Sequence, residues 1–314
     1  MSELVEPSDA ATGAQRRRVM STTAGTHLGA FTPLDWVLFL SIGLIWGSSF
    51  LLIAIGLDAF APGLVTCLRI VFGASALWLV PSARPKVHRT DFPRLVAVSV
   101  LWVAIPFTLF PLAEQHIASG ITGLINGALP IFAVAFGSIM LRRAPGRMQA
   151  LGLAVGFLGI VAIALPSVSE GTSEAIGVLM ALLAVLCYGV AINIVTPLTQ
   201  RYGSLPVMAR VIGLAAIWTS PFGVMSVPDS TFAWSSFLAV VVLGVAGTGI
   251  AFVMMGRLVA RVGARASFAT YLIPVVALIL GVVFRDEVIH VLSIIGIALV
   301  IAGALLASRK ERDA

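Results

Sequence analysis

WVLFLSIGLIWGSSFLLIAIGL, Trp36 to Leu57, runs for 22 residues without a charged side chain. As a helix rising 1.5 Å per residue it would reach about 33 Å, the thickness of a bilayer's hydrocarbon core. It is too long for the apolar part of a secretory leader, and no small-residue cleavage site closes it. Read outward from this stretch, the chain repeats the pattern. Counting it as a span at 36–56, further spans are expected at 62–81, 95–113, 119–140, 148–166, 174–196, 205–226, 233–256, 265–284 and 289–307. Runs of this length exclude a β-barrel, whose strands alternate over about 10 residues. The connections are short, and only 82–94 is a hydrophilic loop, so no separate soluble domain is expected.

Composition agrees. Hydrophobic residues make up 59% of the 314 and charged residues only 11%, with a mean hydropathy of +1.05. A water-soluble domain carries about 25% charged residues. The fold class expected is therefore all-α integral membrane, since only helices and closed barrels satisfy their backbone groups in lipid.

The net charge of +6 does not mark a nucleic-acid binder, because the basic residues sit in short connections and tails. With the N-terminus placed in the cytoplasm, seventeen of the twenty Lys and Arg fall on that side, including Arg16–Arg18, Arg84, Lys86, Arg89, Arg94, Arg142, Arg143, Arg147 and Arg201. Arg285 alone falls opposite, while Arg69 and Arg210 lie within spans. This asymmetry predicts ten transmembrane helices with both termini inside. Residues 1–34 read as a flexible cytoplasmic tail and 308–314 as a charged cytoplasmic tail. Cys67 and Cys187, each inside an apolar run, read as small packing residues.

The chain also resembles itself at an offset of 144. Pro62 aligns with Pro206, Pro130 with Pro274, Gly137 with Gly281, Gly152 with Gly296 and Gly159 with Gly303. The offset covers five spans, and an odd number of crossings turns the second copy upside down. Two inverted five-helix repeats, 35–166 and 167–307, are the expectation, with a substrate site near the midplane between them.

These features carry a family resemblance. Trp46-Gly47-Ser48-Ser49-Phe50, Ala61-Pro62, Arg69, Ser119-Gly120 with Pro130, Gly247-Thr248, Gly263-Ala264, Ile273-Pro274, Gly281 and Glu287 with Gly296 and Gly303 stand in the order and spacing of the drug/metabolite transporter superfamily. The chain resembles its EamA-type ten-helix bacterial exporters from about residue 36 to 307. The resemblance implies export of amino acids or related small metabolites across the bacterial cytoplasmic (inner) membrane. It implies no enzyme activity and no cofactor. One departure stands out: Arg143, not an acid, occupies the first-half position equivalent to Glu287.

Candidate functional residues follow from chemistry. Pro130 and Pro274 remove helix hydrogen bonds and read as symmetric hinges, with Pro106 and Pro111 as further kinks. Gly43 and Gly47, and Gly152 and Gly156, are Gly-x-x-x-Gly pairs suited to close helix packing. A pocket for an amino acid needs polar groups for its charged end and apolar walls for its side chain. Ser48, Ser49, Asn126, Asn193, Thr248, Thr270 and Tyr271 offer the first, and Trp46, Trp102, Phe107 and Tyr188 the second. Arg69 could bind a substrate carboxylate, snorkel to the surface, or pair with Glu114 or Asp58. Arg210 is expected to snorkel to the cytoplasmic face.

Energy coupling has less to rest on. No Gly-x-x-x-x-Gly-Lys-Ser/Thr phosphate loop is present, and Glu114, His116, Asp286, Glu287 and His290 read as a solvated outer rim with an external proton relay as the other possibility. Facilitated diffusion fits an absent core acid better than antiport. The functions weighed against an amino-acid exporter are a multidrug-type exporter, a channel or scaffold, and an intramembrane enzyme; the last lacks His-Glu-x-x-His and Gly-x-Ser-x-Gly motifs.

Overall fold

Thr32 opens the first helix. Its hydroxyl accepts from the Asp35 N–H while the Asp35 carboxylate accepts from the Thr32 N–H and hydroxyl, and Pro33 supplies a pre-set first turn. The computed structural model describes residues 31–140, 142 and 146–307. The tail expectations for most of 1–34 and for 308–314, and the position of Arg143, lie outside the described residues.

Ten helical runs follow one another, and no strand occurs among the described residues. They are α1 (Pro33–Leu57), α2 (Pro62–Trp78), α3 (Phe92–Val98, through a π-turn at Ser99–Ala104, into Ile105–Ala113) and α4 (Ser119–Asn126, then Leu129–Met140). Next come α5 (Arg147–Glu170), α6 (Thr172–Tyr202) and α7 (Ser204–Met225). The last three are α8 (Trp234–Gly244, through a π-turn at Val245–Ile250, into Ala251–Val262), α9 (Leu272–Arg285, preceded by a 3-10 run Gly263–Tyr271) and α10 (Val291–Ala307). Eight runs are long and apolar enough to cross a membrane, and the apolar helices Pro62–Trp78 and Val291–Leu306 are shorter.

Several boundaries differ from the sequence reading. The second helix stops at Trp78, and Pro81–Ala83 forms a separate 3-10 turn where helix to 81 was expected. The sixth continues to Tyr202, with the Thr196 and Thr199 hydroxyls donating to the carbonyls of Ile192 and Thr196. It ends at Gly203, whose φ of 83° lies in the left-handed region that suits glycine. The span expected from 265 begins as 3-10 helix and becomes α-helical only at Leu272.

The irregular turns fall at matching places. In α3 the π-turn comes just before Pro106, whose ring cannot donate to the Trp102 carbonyl; the Ile105 N–H reaches back to Val100. In α8 the π-turn runs through Gly247, Thr248 and Gly249, with the Ala251 N–H on Ala246. In α4 and α9 the breaks come immediately before Pro130 and Pro274.

Packing uses small residues inside and large apolar ones outside. Leu44, Leu183, Ile217 and Val283 are exposed, whereas Ala181, Ala184, Gly189 and Ala191 of α6 are buried. Water would not tolerate that surface; lipid does. α5 and α10 form an intimate pair, with Gly159 against Gly296 and Gly156 against Gly303, backbone on backbone. Gly43 and Gly47 admit Leu272 and Val276 of α9 against α1.

Candidate functional site: a central cavity with one cation

α4 and α9 meet on one side of their breaks, where Ser119–Asn126 packs on Leu272–Arg285. Beyond the breaks they take different neighbours: Leu129–Met140 packs on α6, α5 and α10, and the 3-10 run on α8 and α1. A cavity of about 100 Å³ lies at this crossing.

Arg69 of α2 supplies its cation. The residue is 6% exposed, and its guanidinium carbon sits 3.7 Å from the centroid of the Phe107 ring. Phe107 is anchored from behind, since Thr66 Oγ1 donates to its carbonyl at 2.8 Å. Arg69 Nε reaches Thr248 Oγ1 at 3.4 Å, a long bond, and Nη1 and Nη2 make no hydrogen bond to described residues. Two arrangements expected as alternatives for Arg69 do not occur. Asp58 pairs with Arg285 instead, and Glu114 makes no hydrogen bond to it.

Aromatic rings wall the space. Phe50 meets Phe110 edge-on at 5.5 Å, Tyr188 lies 5.9 Å from both Trp102 and Phe110, and Trp46 lies 5.8 Å from Phe252. Trp46 is locked by its indole N–H on the Gly247 carbonyl at 3.0 Å. Asn126 and Thr270 also line the cavity, each four residues before a helix-breaking proline. The Asn126 amide, the Tyr188 hydroxyl and the Trp102 indole N–H make no hydrogen bond to described residues, so the lining offers unused polar groups to a ligand.

Of the residues nominated from sequence, the lining contains Trp46, Ser49, Arg69, Trp102, Phe107, Asn126, Tyr188 and Thr270. Four lie elsewhere. Ser48 donates to its own helix at Ile45. Asn193 donates to Ala133 and Gly189, tying α6 to α4. Thr248 is fully buried behind Arg69, and Tyr271 stacks on Phe268. Sequence reasoning missed Phe50, Phe110 and Phe252; the repeat of Phe50, Phe107 and Phe110 along mid-span faces was the available signal. Cys67 and Cys187 are free, and no metal-binding cluster occurs among the described residues. Arg210 donates to the carbonyl of Pro206 in its own helix and to those of Ala83 and Arg84 in the turn after α2.

One end of the bundle is bonded shut. Glu287 accepts from the Ser119 N–H at 2.8 Å, the Ser119 hydroxyl at 2.6 Å and the Gly120 N–H at 2.8 Å, capping α4. Arg285 grips Asp58 with two bonds at 2.9 and 3.0 Å, and the Thr231 N–H donates to Ala59 at 2.8 Å. The rim expected to be solvated is in part buried: both carboxylate oxygens of Glu114 are enclosed and receive no hydrogen bond.

A bundle of apolar helices around a small cavity, with broken helices crossing beside it, is an arrangement that membrane transporters use. The profile of the EamA-like transporter family matches residues 35–165 and again 175–309, and the chain belongs to that family. It is 27% identical over 279 residues to a "probable terminal-alkyne amino-acid exporter" of Streptantibioticus cattleyicolor, covering 88% of this chain and 93% of that one. It is 25% identical to a "probable amino-acid metabolite efflux pump" of Salmonella typhimurium, covering 86% and 93%. It is also 25% identical to the inner membrane transporter YedA of Escherichia coli, covering 87% and 90%. A crystal structure at 19% identity shares the fold, with a TM-score of 0.58 over 87% of this chain and 96% of that one. The chain is a multi-pass inner-membrane protein with a small-molecule substrate.

Proposed function

We propose that this protein exports small metabolites, amino acids foremost, by alternating access through the Arg69 cavity. The carrying observation is a buried guanidinium with two unbonded nitrogens inside an aromatic wall. A lone cation in an apolar site attracts a carboxylate strongly, and the rings receive an apolar or aromatic side chain. An amino acid adds an ammonium, for which the Asn126 side-chain oxygen is an acceptor at the lining, beside a carbonyl that Pro130 deprives of its usual donor. The names of the two exporter relatives support this substrate class.

The mechanism rests on ten spans arranged as two inverted repeats, 35–166 and 167–307, with both termini cytoplasmic. The double family match supports the duplication, as do the paired π-turns and the paired breaks before Pro130 and Pro274. The two helices under 18 residues still reach about 25 Å, enough to span with slight local thinning. The excess of basic residues at the other end supports an outside position for the Glu287 end. The conformation described is then closed to the outside, and export requires Pro130 and Pro274 to act as hinges that part α4 from α9 at Glu287 and close the opposite end. Neither step needs a cofactor.

Proteoliposomes preloaded with radiolabelled phenylalanine test this. Release faster than from empty vesicles, saturable and competed by other bulky amino acids, is the expected result. Release no faster than leakage for every amino acid tried would end the proposal.

A further inference from the structure

Among the described residues, one acid stands apart from the other buried or bonded ones. Asp35 and Asp91, both buried, are tied to arginines, Arg261 for the first and Arg94 and Arg201 for the second. Glu287 receives three hydrogen bonds. Glu114 differs from all of these, because neither oxygen receives any, although both are out of reach of solvent. A bare carboxylate so placed is expensive in a bilayer, and an acid kept for structure would have a donor.

Its position gives the anomaly a use. Glu114 follows α3 on the stripe of Phe107 and Phe110, both lining the cavity, so it sits one turn beyond the aromatic wall. On its other side lies the Glu287 clamp on α4. The second half of α3 packs on α6, α2 and α1. The charged or titratable groups these neighbours carry are Glu174 and Tyr188 on α6, Arg69 on α2 and Asp58 at the end of α1, the last occupied by Arg285. Beyond α3 stands His116, bonded to Ser173; Arg285 ends α9, and Asp286, Glu287 and His290 follow it. No cation among them donates a hydrogen bond to Glu114.

We propose that Glu114 is a proton-binding site of the carrier, filled when the Glu287 end is shut and emptied when that end opens. The inference rests on the transporter reading for its sidedness. In the shut state the carboxylic acid is neutral and needs no counter-charge. Parting α4 from α9 admits water, and the ionised form is hydrated and drawn by Arg69 and Arg285. The exchange is simple: one proton leaves the carboxyl for water as the end opens and returns from water as it closes. By linkage, the state that binds the proton more tightly is favoured by acid, so acid outside shuts this end and alkali opens it. The protein thus carries the intramembrane acid that its sequence seemed to lack, and the outside pH, not substrate gradient alone, sets its cycle.

Paired spin labels at Thr172→Cys and Val288→Cys, in a Cys67→Ser/Cys187→Ser background in nanodiscs, read the separation of the two sides of this end. Both labelled positions are exposed. From about pH 5 to about pH 8 the separated population should grow by about tenfold or more, and E114Q should hold the short distance at both. The Glu114→Leu variant, also neutral, takes its place if the glutamine form does not fold. No pH response in the parent, a response that survives both neutral variants, or one that E287Q abolishes while E114Q keeps it, would each overturn the proposal. Phenylalanine release measured alongside separates the two readings: pH-following distances in a protein that moves no amino acid sink the export function alone, and pH-blind distances in a working exporter sink the proton site alone.

Discussion

Glu287 and Ser119, 168 residues apart, share two hydrogen bonds, one to the Ser119 N–H and one to its hydroxyl. A carboxylate from the α9–α10 link thereby caps the helix that carries Asn126 to the cavity. Gly120 and Gly281 leave room for it: a Cβ on Gly120 would stand 2.9 Å from Glu287 Oε2.

Removing this cap should loosen the shut end. Glu287→Ala is expected to cost about 1–2 kcal/mol of thermal stability in detergent, in the range of a lost charged N-cap. A cysteine at Thr122, fully buried beneath the clamp, should react faster with a membrane-impermeant maleimide in E287A than in the parent. Equal rates would show that the clamp does not hold the end closed.

Arg69 should decide affinity through the carboxylate. R69Q is expected to weaken binding of phenylalanine by about tenfold to a hundredfold, the worth of a charge-assisted hydrogen bond. It should affect binding of phenethylamine, which lacks the carboxylate, far less. Competition binding to the purified protein gives both numbers, and a parallel loss for the two ligands would assign Arg69 to structure.

Close approach of α5 and α10 makes their glycines intolerant. A Cβ on Gly303 would lie 2.5 Å from the Gly156 nitrogen and 2.6 Å from the Gly152 carbonyl. Gly303→Ala should therefore destabilise by about 1–3 kcal/mol, since backbone cannot yield as a side chain can. Gly213→Ala is the control: its Cβ would meet only Trp78 Nε1 at 3.5 Å, and the helix propensity gained, up to about 1 kcal/mol, should leave it neutral or more stable. Melting temperatures of the two variants should move apart.

Two ion-pair sites should differ in weight. Asp58 and Arg285 have side chains 48% and 36% exposed, so Asp58→Asn should change stability by less than about 1 kcal/mol and by less still in high salt. Asp91 has a side chain 7% exposed and gathers Arg201 at 3.0 Å and Tyr202 Oη at 2.7 Å. Asp91→Ala should cost about 1.5–3 kcal/mol by chemical denaturation in detergent, because it strips a buried acceptor from three donors, Arg94, Arg201 and Tyr202.

How far the sequence could be read is clear from neighbours such as Ser48 and Ser49. Both sit at the depth of the cavity, and hydropathy treats them alike. Successive residues on a helix point about 100° apart, so Ser49 lines the cavity and Ser48 does not, although both hydroxyls donate to the Ile45 carbonyl. Depth was legible and direction was not. Asn126 and Thr270 were found because a polar side chain at mid-span is costly without a partner. Phe50, Phe110 and Phe252 were passed over because an apolar run offers no contrast between a ring that faces lipid and one that faces a ligand.

By itself the sequence determined an all-helical membrane chain, because transfer to lipid sums residue by residue along each run and needs no knowledge of neighbours. It also placed the irregular points of α4 and α9, because proline acts on its own helix. Tertiary structure alone decided that Arg69 lies over Phe107 with two nitrogens unbonded, and that Glu114 is enclosed without a donor. Those facts depend on which helix faces come together from far along the chain, and the energy of a charge depends on what surrounds it.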